Sequence, residues 1–191
     1  ARRVRPTADT TLQSDKLQET FGGSAGAAGE FQVSRAVAGE SFSMTVDPRS
    51  LPPNAYIAAV SQGEQQMGMS PFQVSAGGDP VRIVLKTDGG VIEGSVKDAG
   101  RIVRQAFVVL APKDRRVEQN FRTATTNSEG LFNISAIMPG DYDLFAFDRN
   151  EDDDYLGEGF LEGFAGSSVE MKVPPRATLA AELALLRIPR R

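Results

Sequence analysis

Apolar and polar residues alternate in short runs along most of the chain, and clusters of turn-forming residues separate the runs. That pattern predicts strands. In the second half the predicted strands are Val91 to Val96, Phe107 to Leu110, Phe121 to Thr125, Leu131 to Ile134, Tyr142 to Phe147, Val169 to Val173 and Leu179 to Leu186. Asp98-Ala99-Gly100, Asn127 to Gly130, Pro139-Gly140 and Pro174-Pro175 punctuate them with turn chemistry. In the first half the candidates are a segment near Val4, Leu17 to Phe21, Phe31 to Ser34, Phe42 to Val46, Tyr56 to Val60, Phe72 to Ser75 and Val81 to Leu85. One segment sends two signals. Residues 177 to 187, ATLAAELALLR, are rich in helix formers, but the strict alternation at Leu179, Ala181, Leu183 and Leu185 predicts a strand.

The two halves are related. Residues 29 to 46, GEFQVSRAVAGESFSMTV, match residues 130 to 147, GLFNISAIMPGDYDLFAF, without a gap. Gly29, Phe31, Ser34 and Gly39 are identical to Gly130, Phe132, Ser135 and Gly140, while Val33 meets Ile134 and Glu40 meets Asp141. A unit repeated about 100 residues apart in a chain of 191 predicts two domains, residues 1–89 and 90–191, each of a size to bury its own core. The expected fold is all-β, as two tandem antiparallel β-sandwich domains of Ig-like or prealbumin-like type. Copy two opens with Val91 to Val96, and the shift that relates the copies puts the counterpart before residue 1. The first domain is therefore expected to lack its opening strand and to present an open sheet edge. Unpaired backbone groups on such an edge seek another strand, supplied by an upstream part of a longer chain, by the N-terminal arm, or by a neighbouring subunit.

Composition narrows the function. The net charge of -4, with arginine concentrated at the two ends, argues against a nucleic-acid partner, which needs clustered cations on one face. Cysteine and histidine are both absent, which removes disulfides, thiolate nucleophiles and histidine bases together. No run approaches the roughly 18 apolar residues of a membrane span, and ARRVRPTADT at the start has no apolar signal-peptide core. The residues Gly22 to Gly26 spell the G-x-S-x-G of a hydrolase nucleophile elbow, but without histidine the serine has no ordinary base, and the surrounding Gly and Ala predict a linker. Aromatic side chains for sugar stacking are few, with no Trp and three Tyr. Lys97 has no Asn or Asp to react with in the last strand, so an intramolecular Lys-Asn crosslink is unsupported.

Two features carry binding chemistry. Asp148, Asn150, Asp152 and Asp154 place oxygen donors at every second position, a spacing that can wrap calcium. An EF-hand would need glycine at Asp153 and glutamate at Gly159, so the simpler reading is a solvated acidic loop, with no cofactor and calcium as the alternative. The second feature is the pair of basic ends, with Arg2, Arg3 and Arg5 at one and Arg187, Arg190 and Arg191 at the other. Exposed ion pairs contribute only about 0 to 1 kcal/mol each, enough to set a register but not to hold a polymer.

GGVIEGSV (Gly89 to Val96), AFVVLAP (Ala106 to Pro112), SEGLFNISAIMPGDYDLFAF (Ser128 to Phe147) and YLGEGFLEGF (Tyr155 to Phe164) together resemble the carboxypeptidase regulatory-like, or transthyretin-like, β-sandwich repeats of secreted bacterial proteins. LPPNAYIAAV and VRIVLKTDGG in the first copy resemble the preceding repeat, and Phe147 stands where such repeats usually carry tryptophan. The resemblance implies a non-catalytic module in an extracellular or cell-surface setting. The expectation is a structural protein that assembles into filaments by β-strand pairing or donation, or a module of a longer surface protein. The segments concerned are the N-terminal arm from Val4 to Gln13, through Val4, Arg5 and Leu12, and the last strand from Leu179 to Ile188, through Leu179, Leu183 and Leu185. The alternative is a calcium- or glycan-binding accessory module of a secreted enzyme or outer-membrane receptor.

Overall fold

The computed structural model describes residues 9–14, 20–24, 30, 41–46, 50–67, 72–73, 79–114, 120–150, 154–157 and 159–189. The described structure is all-β apart from short 3-10 segments, and the chain divides into two compact units, Ala1–Thr87 and Asp88–Arg191.

In the first unit the strands are β1 (Asp9–Ser14), β2 (Thr20–Ser24), β3 (Ser41–Val46), β4 (Tyr56–Gln62), β5 (Gln65–Met67), β6 (Phe72–Gln73) and β7 (Val81–Lys86). They form a four-stranded sheet in the order β2-β1-β3-β6 and a three-stranded sheet in the order β5-β4-β7. Phe42, Val46, Tyr56 and Val60 are buried.

The second unit contains β8 (Gly90–Asp98), β9 (Arg101–Ile102), β10 (Phe107–Pro112), β11 (Arg122–Thr125), β12 (Leu131–Ile137), β13 (Gly140–Phe147), β14 (Val169–Val173) and β15 (Thr178–Ala184). One sheet has the order β11-β10-β13-β14 and the other β12-β8-β15, with β9 folded back on β8. Ile92, Val96, Phe132, Ile134 and Leu183 from the second meet Val108, Leu110, Tyr142, Leu144 and Ala146 from the first in one apolar core. All seven strands predicted for this half are present, and the segment with two signals is a strand. Alternation outweighs helix propensity there because it places Leu179, Ala181, Leu183 and Leu185 together against that core.

The repeat is structural as well. The sheet β2-β1-β3-β6 has the same pairings as β11-β10-β13-β14, all antiparallel, with Thr10 opposite Val46 as Phe107 is opposite Phe147. β1 is thus the counterpart of β10, and no described strand of the first unit takes the place of β8. This corrects two expectations. The part of the N-terminal arm from Asp9 to Gln13, Leu12 included, lies between β2 and β3 and is already paired on both sides, so it is not a strand free for donation. Gly22, Gly23 and Ser24 are paired with Thr11, Thr10 and Asp9 in β2 rather than forming a linker. Val4 and Arg5, and the Phe31 to Ser34 half of the repeat, lie outside the described residues.

A second apolar layer was not expected. β13 is buried without interruption from Tyr142 to Phe147. The face away from the main core, with Val109, Ala111, Phe145 and Phe147, packs under Leu161, Tyr155, Phe160, Phe164 and Ile188. Phe147 contacts Phe164 edge-on at 5.1 Å and Phe160 at 5.5 Å between centroids, geometries favoured by the ring quadrupoles. The 3-10 segment Leu161–Ser167 carries the covering residues Leu161 and Phe164.

Backbone-directed side chains fix the ends of these strands. The Tyr142 hydroxyl donates to the Met138 carbonyl at 2.7 Å, tying the β12–β13 corner as a tyrosine corner does. Thr126 Oγ1, fully buried, accepts from Ala106 N and donates to Val103 O, both at 2.9 Å. Gly130, at φ 72°, must be glycine, because an added Cβ would lie 2.1 Å from Ile102 Cγ2.

Truncating Phe147 to Ala removes the ring that both the strand and the 3-10 segment pack against. We expect a loss of about 3–5 kcal/mol of unfolding free energy in denaturant titration, against less than about 1 kcal/mol for Leu156→Ala, whose side chain is largely exposed.

Candidate assembly surface

The parallel pairing of β15 with β8 depends on Gly94. A Cβ at this position would lie 2.1 Å from the Ala181 carbonyl oxygen and 2.7 Å from Phe132 Cζ. Glycine therefore admits β15 on one side, and on the other the Phe132 ring, which stands opposite in β12 and covers the bare backbone. The register runs from Thr178 opposite Val91 to Ala184 opposite Lys97. At its ends Val91 N donates to Ala177 O and Leu185 N donates to Lys97 O, at 2.8 and 2.9 Å. The regular alternation of a parallel ladder then turns the N–H and C=O groups of Leu179, Ala181 and Leu183 to β8, and those of Thr178, Ala180, Glu182 and Ala184 to the opposite side. β15 ends the sheet, so among the described residues those outward groups have no strand partner.

The sequence names this strand for assembly by pairing or donation, through Leu179, Leu183 and Leu185. In the structure it is not a free donor. Leu183 is buried in the main core, Leu179 and Leu185 pack against it, and one backbone edge is used by β8. The strand is a fixed part of its own unit, and what it offers is its second edge.

Beside that edge, the solvent face of β12, β8 and β15 forms a shallow open trough of about 850 Å³, bordered by Glu93, Ser95, Leu131, Asn133, Ala180 and Glu182. Its polar groups are largely committed to one another. Asn133 Nδ2 donates to Glu93 Oε1 at 3.0 Å, and Lys97 Nζ sits 2.5 Å from Glu182 Oε2.

Asp148 and Arg149, at the start of the acidic stretch, are tied to the C-terminal segment. Asp148 Oδ1 accepts from Ile188 N at 3.1 Å, Asp148 Oδ2 lies 3.3 Å from Arg149 Nη1, and Arg149 Nη2 donates to the Pro189 carbonyl at 3.3 Å. Both oxygens of Asp148 are thus engaged within the protein. Asn150 is exposed, Asp154 opens a 3-10 turn, and Asp152 lies outside the described residues. No group of three acidic, His or Cys residues among the described residues could hold a metal ion. Ile188 is buried over Phe145 and Phe147, so Asp148 serves to seat the segment that covers the outer layer.

A charge cluster that the sequence did not flag lies at the far end of the outer face. Lys113 Nζ is 2.7 Å from both Asp143 Oδ1 and Glu170 Oε1, with Asp143 nearly buried and Glu170 exposed. The ion pair with Asp143 first, then that with Glu170, raises the Lys113 pKa above its usual 10.5. The amine is held protonated, the opposite of what an amine nucleophile needs. Burial raises the Tyr142 pKa and lowers that of Arg122. Among the described residues no helix is long and apolar enough to cross a membrane.

No family model and no curated protein matches the chain. Among solved structures it is similar to a candidate carbohydrate binding protein from Pseudomonas aeruginosa, at 16% identity over 51% of this chain and 88% of that one, with a TM-score of 0.33. It is similar to the Bacillus anthracis TIE protein at 13% identity and a TM-score of 0.36, covering 93% of this chain but only 34% of that one. It is also similar to GBS52, the minor pilin of Streptococcus agalactiae, at 11% identity over 98% and 87% of the two chains, with a TM-score of 0.29. With every TM-score below 0.5, these likenesses carry no argument about the present chain.

Two outcomes follow from these contacts. Lys113 is charged more readily folded than unfolded, so its ion pairs contribute fully below pH 10.5 and are lost as pH rises through the raised pKa. Lys113→Met should therefore narrow its stability deficit relative to the parent above pH 10.5, in chemical denaturation at stepped pH. Calcium added in excess should leave the unfolding midpoint unchanged, because Asp148 already serves Ile188 and Arg149. A rise in the midpoint would show a site built on the rest of the loop.

Proposed function

We propose that this chain is a non-enzymatic structural module of an extracellular or cell-surface assembly. Its two units are read as Ig-like or prealbumin-like β-sandwiches that join larger structures by strand pairing. The observation that carries the reading is the outer edge of β15, a seven-residue strand whose second side has no partner among the described residues. Main-chain hydrogen bonds along such an edge, acting together, supply the directional contact on which strand addition relies. The chemistry elsewhere agrees. A chain with neither His nor Cys has no ordinary nucleophile-base pair, and the charged groups described here are spent on ion pairs and backbone ties. The loop from Asp148 to Asp154 takes a structural role in this reading, and no cofactor is required.

Negative-stain electron microscopy of the purified chain, with light scattering across a range of concentrations, tests the proposal. It expects species larger than one 20.5 kDa chain, whether filaments or discrete assemblies. A strict monomer at every concentration, combined with turnover of a small-molecule substrate, would overturn it.

A further inference from the structure

We infer that β15 pairs with β15 of a second copy of this chain, antiparallel about a two-fold axis at Ala181, joining two β12-β8-β15 sheets into one continuous sheet. The inference rests on the structural reading above and gives it a partner and a register.

Several other edges of the described sheets are guarded. β14 carries Glu170 and Lys172 on its exposed face, tied to Lys113 and Asp141. β7 exposes Arg82 and Lys86. β12 is interrupted by a register shift between Ile134 and Ile137, with Ala136 at φ 54°. β5 and β6 have three and two residues. Charges, bulges and short length are the usual devices against unwanted edge pairing. β15 has neither a bulge nor a short length. Its seven residues TLAAELA are regular and carry one charge, Glu182, whose carboxylate is already held by Lys97.

The edge is self-complementary. With the axis at Ala181, the outward-facing residues pair as Ala180 with the second copy's Glu182 and Thr178 with its Ala184, each pair exchanging N–H and C=O groups. Glu182 then faces a methyl group and not its own copy, so the register avoids opposing like charges. Both strands are already held straight by β8, so pairing orders no free segment, which a disordered peptide in the same place would have to do. A contact that uses one patch on both partners is isologous and closes at two copies. Larger assemblies would then need a second, different contact.

The absence of cysteine makes the register directly testable. Ala181 faces its own copy across the axis as a non-hydrogen-bonded pair, where cross-strand Cβ atoms approach closest. On mild oxidation A181C is expected to give a covalent dimer, while A180C, whose opposite residue is Glu182, is not. In A180P only an outward N–H is lost, so the melting temperature should stay within about 3 °C of the parent, while the dimer seen by light scattering is lost at least tenfold in affinity. Equal cross-linking of both cysteine variants, or a parent dimer that A180P leaves intact, would overturn the inference. Assemblies that persist in A180P would sink this contact and leave the structural reading standing. A parent that is monomeric at every concentration sinks the contact outright.

Discussion

Burial of β13 on both faces is the constraint on which the second unit is built. A strand apolar on one side needs one covering layer, but Tyr142 to Phe147 are covered on two. Tyr142, Leu144 and Ala146 call for the sheet β12-β8-β15, and Phe145 and Phe147 call for the aromatic layer from Tyr155 to Phe164. Each cover brings its own fixings. Gly94 lets β15 close on β8, and Asp148 holds the backbone at Ile188 so that its side chain seals the outer layer. A two-sided core gives a unit of about 100 residues, in a chain without cysteine, more apolar burial than one covering layer would.

How much of this could be read from the sequence depends on the layer. The inner layer was legible, because its strands obey period two: Ile92 and Val96, Phe132 and Ile134, Leu179 to Leu185. The outer layer was not. Tyr155, Phe160, Leu161 and Phe164 sit in a glycine-rich stretch with neither strand nor helix period, so no pattern marked them as a cover. β1 was displaced for a related reason. DTTLQS has one apolar residue, so the strand is defined by pairing with β2 and β3 rather than by its own alternation. The hairpin of β4 and β5 closes through Gly63 at φ 57°, followed by the polar run Gln65-Gln66, which gave little strand signal.

The candidate site was half legible. Alternation identified the last strand, and the repeat raised the expectation of an unfilled strand position in the first unit. Sequence could not say which backbone edge of β15 is used, because that depends on the parallel register with β8. Pairing and donation are therefore not separable from the sequence, and only the register with β8 shows that the strand is not free. The acidic loop is a second case. Its spacing suggested a ligand, whereas Asp148 is engaged by a backbone amide forty residues later in the chain. Long-range partners of that kind leave no periodic trace.

β15 gives one edge to β8 and, from Thr178 to Ala184, has a second edge with no strand partner among the described residues. Residue-resolved amide hydrogen exchange measures this difference most directly, compared between dilute and concentrated protein. Protection is expected to alternate in dilute solution, slow at Leu179, Ala181 and Leu183 and fast at Thr178, Ala180, Glu182 and Ala184, with the fast set slowing as concentration rises. Uniform slow exchange along the strand at the lowest concentration would mean that the chain covers this edge itself, and that β15 has no free side to pair.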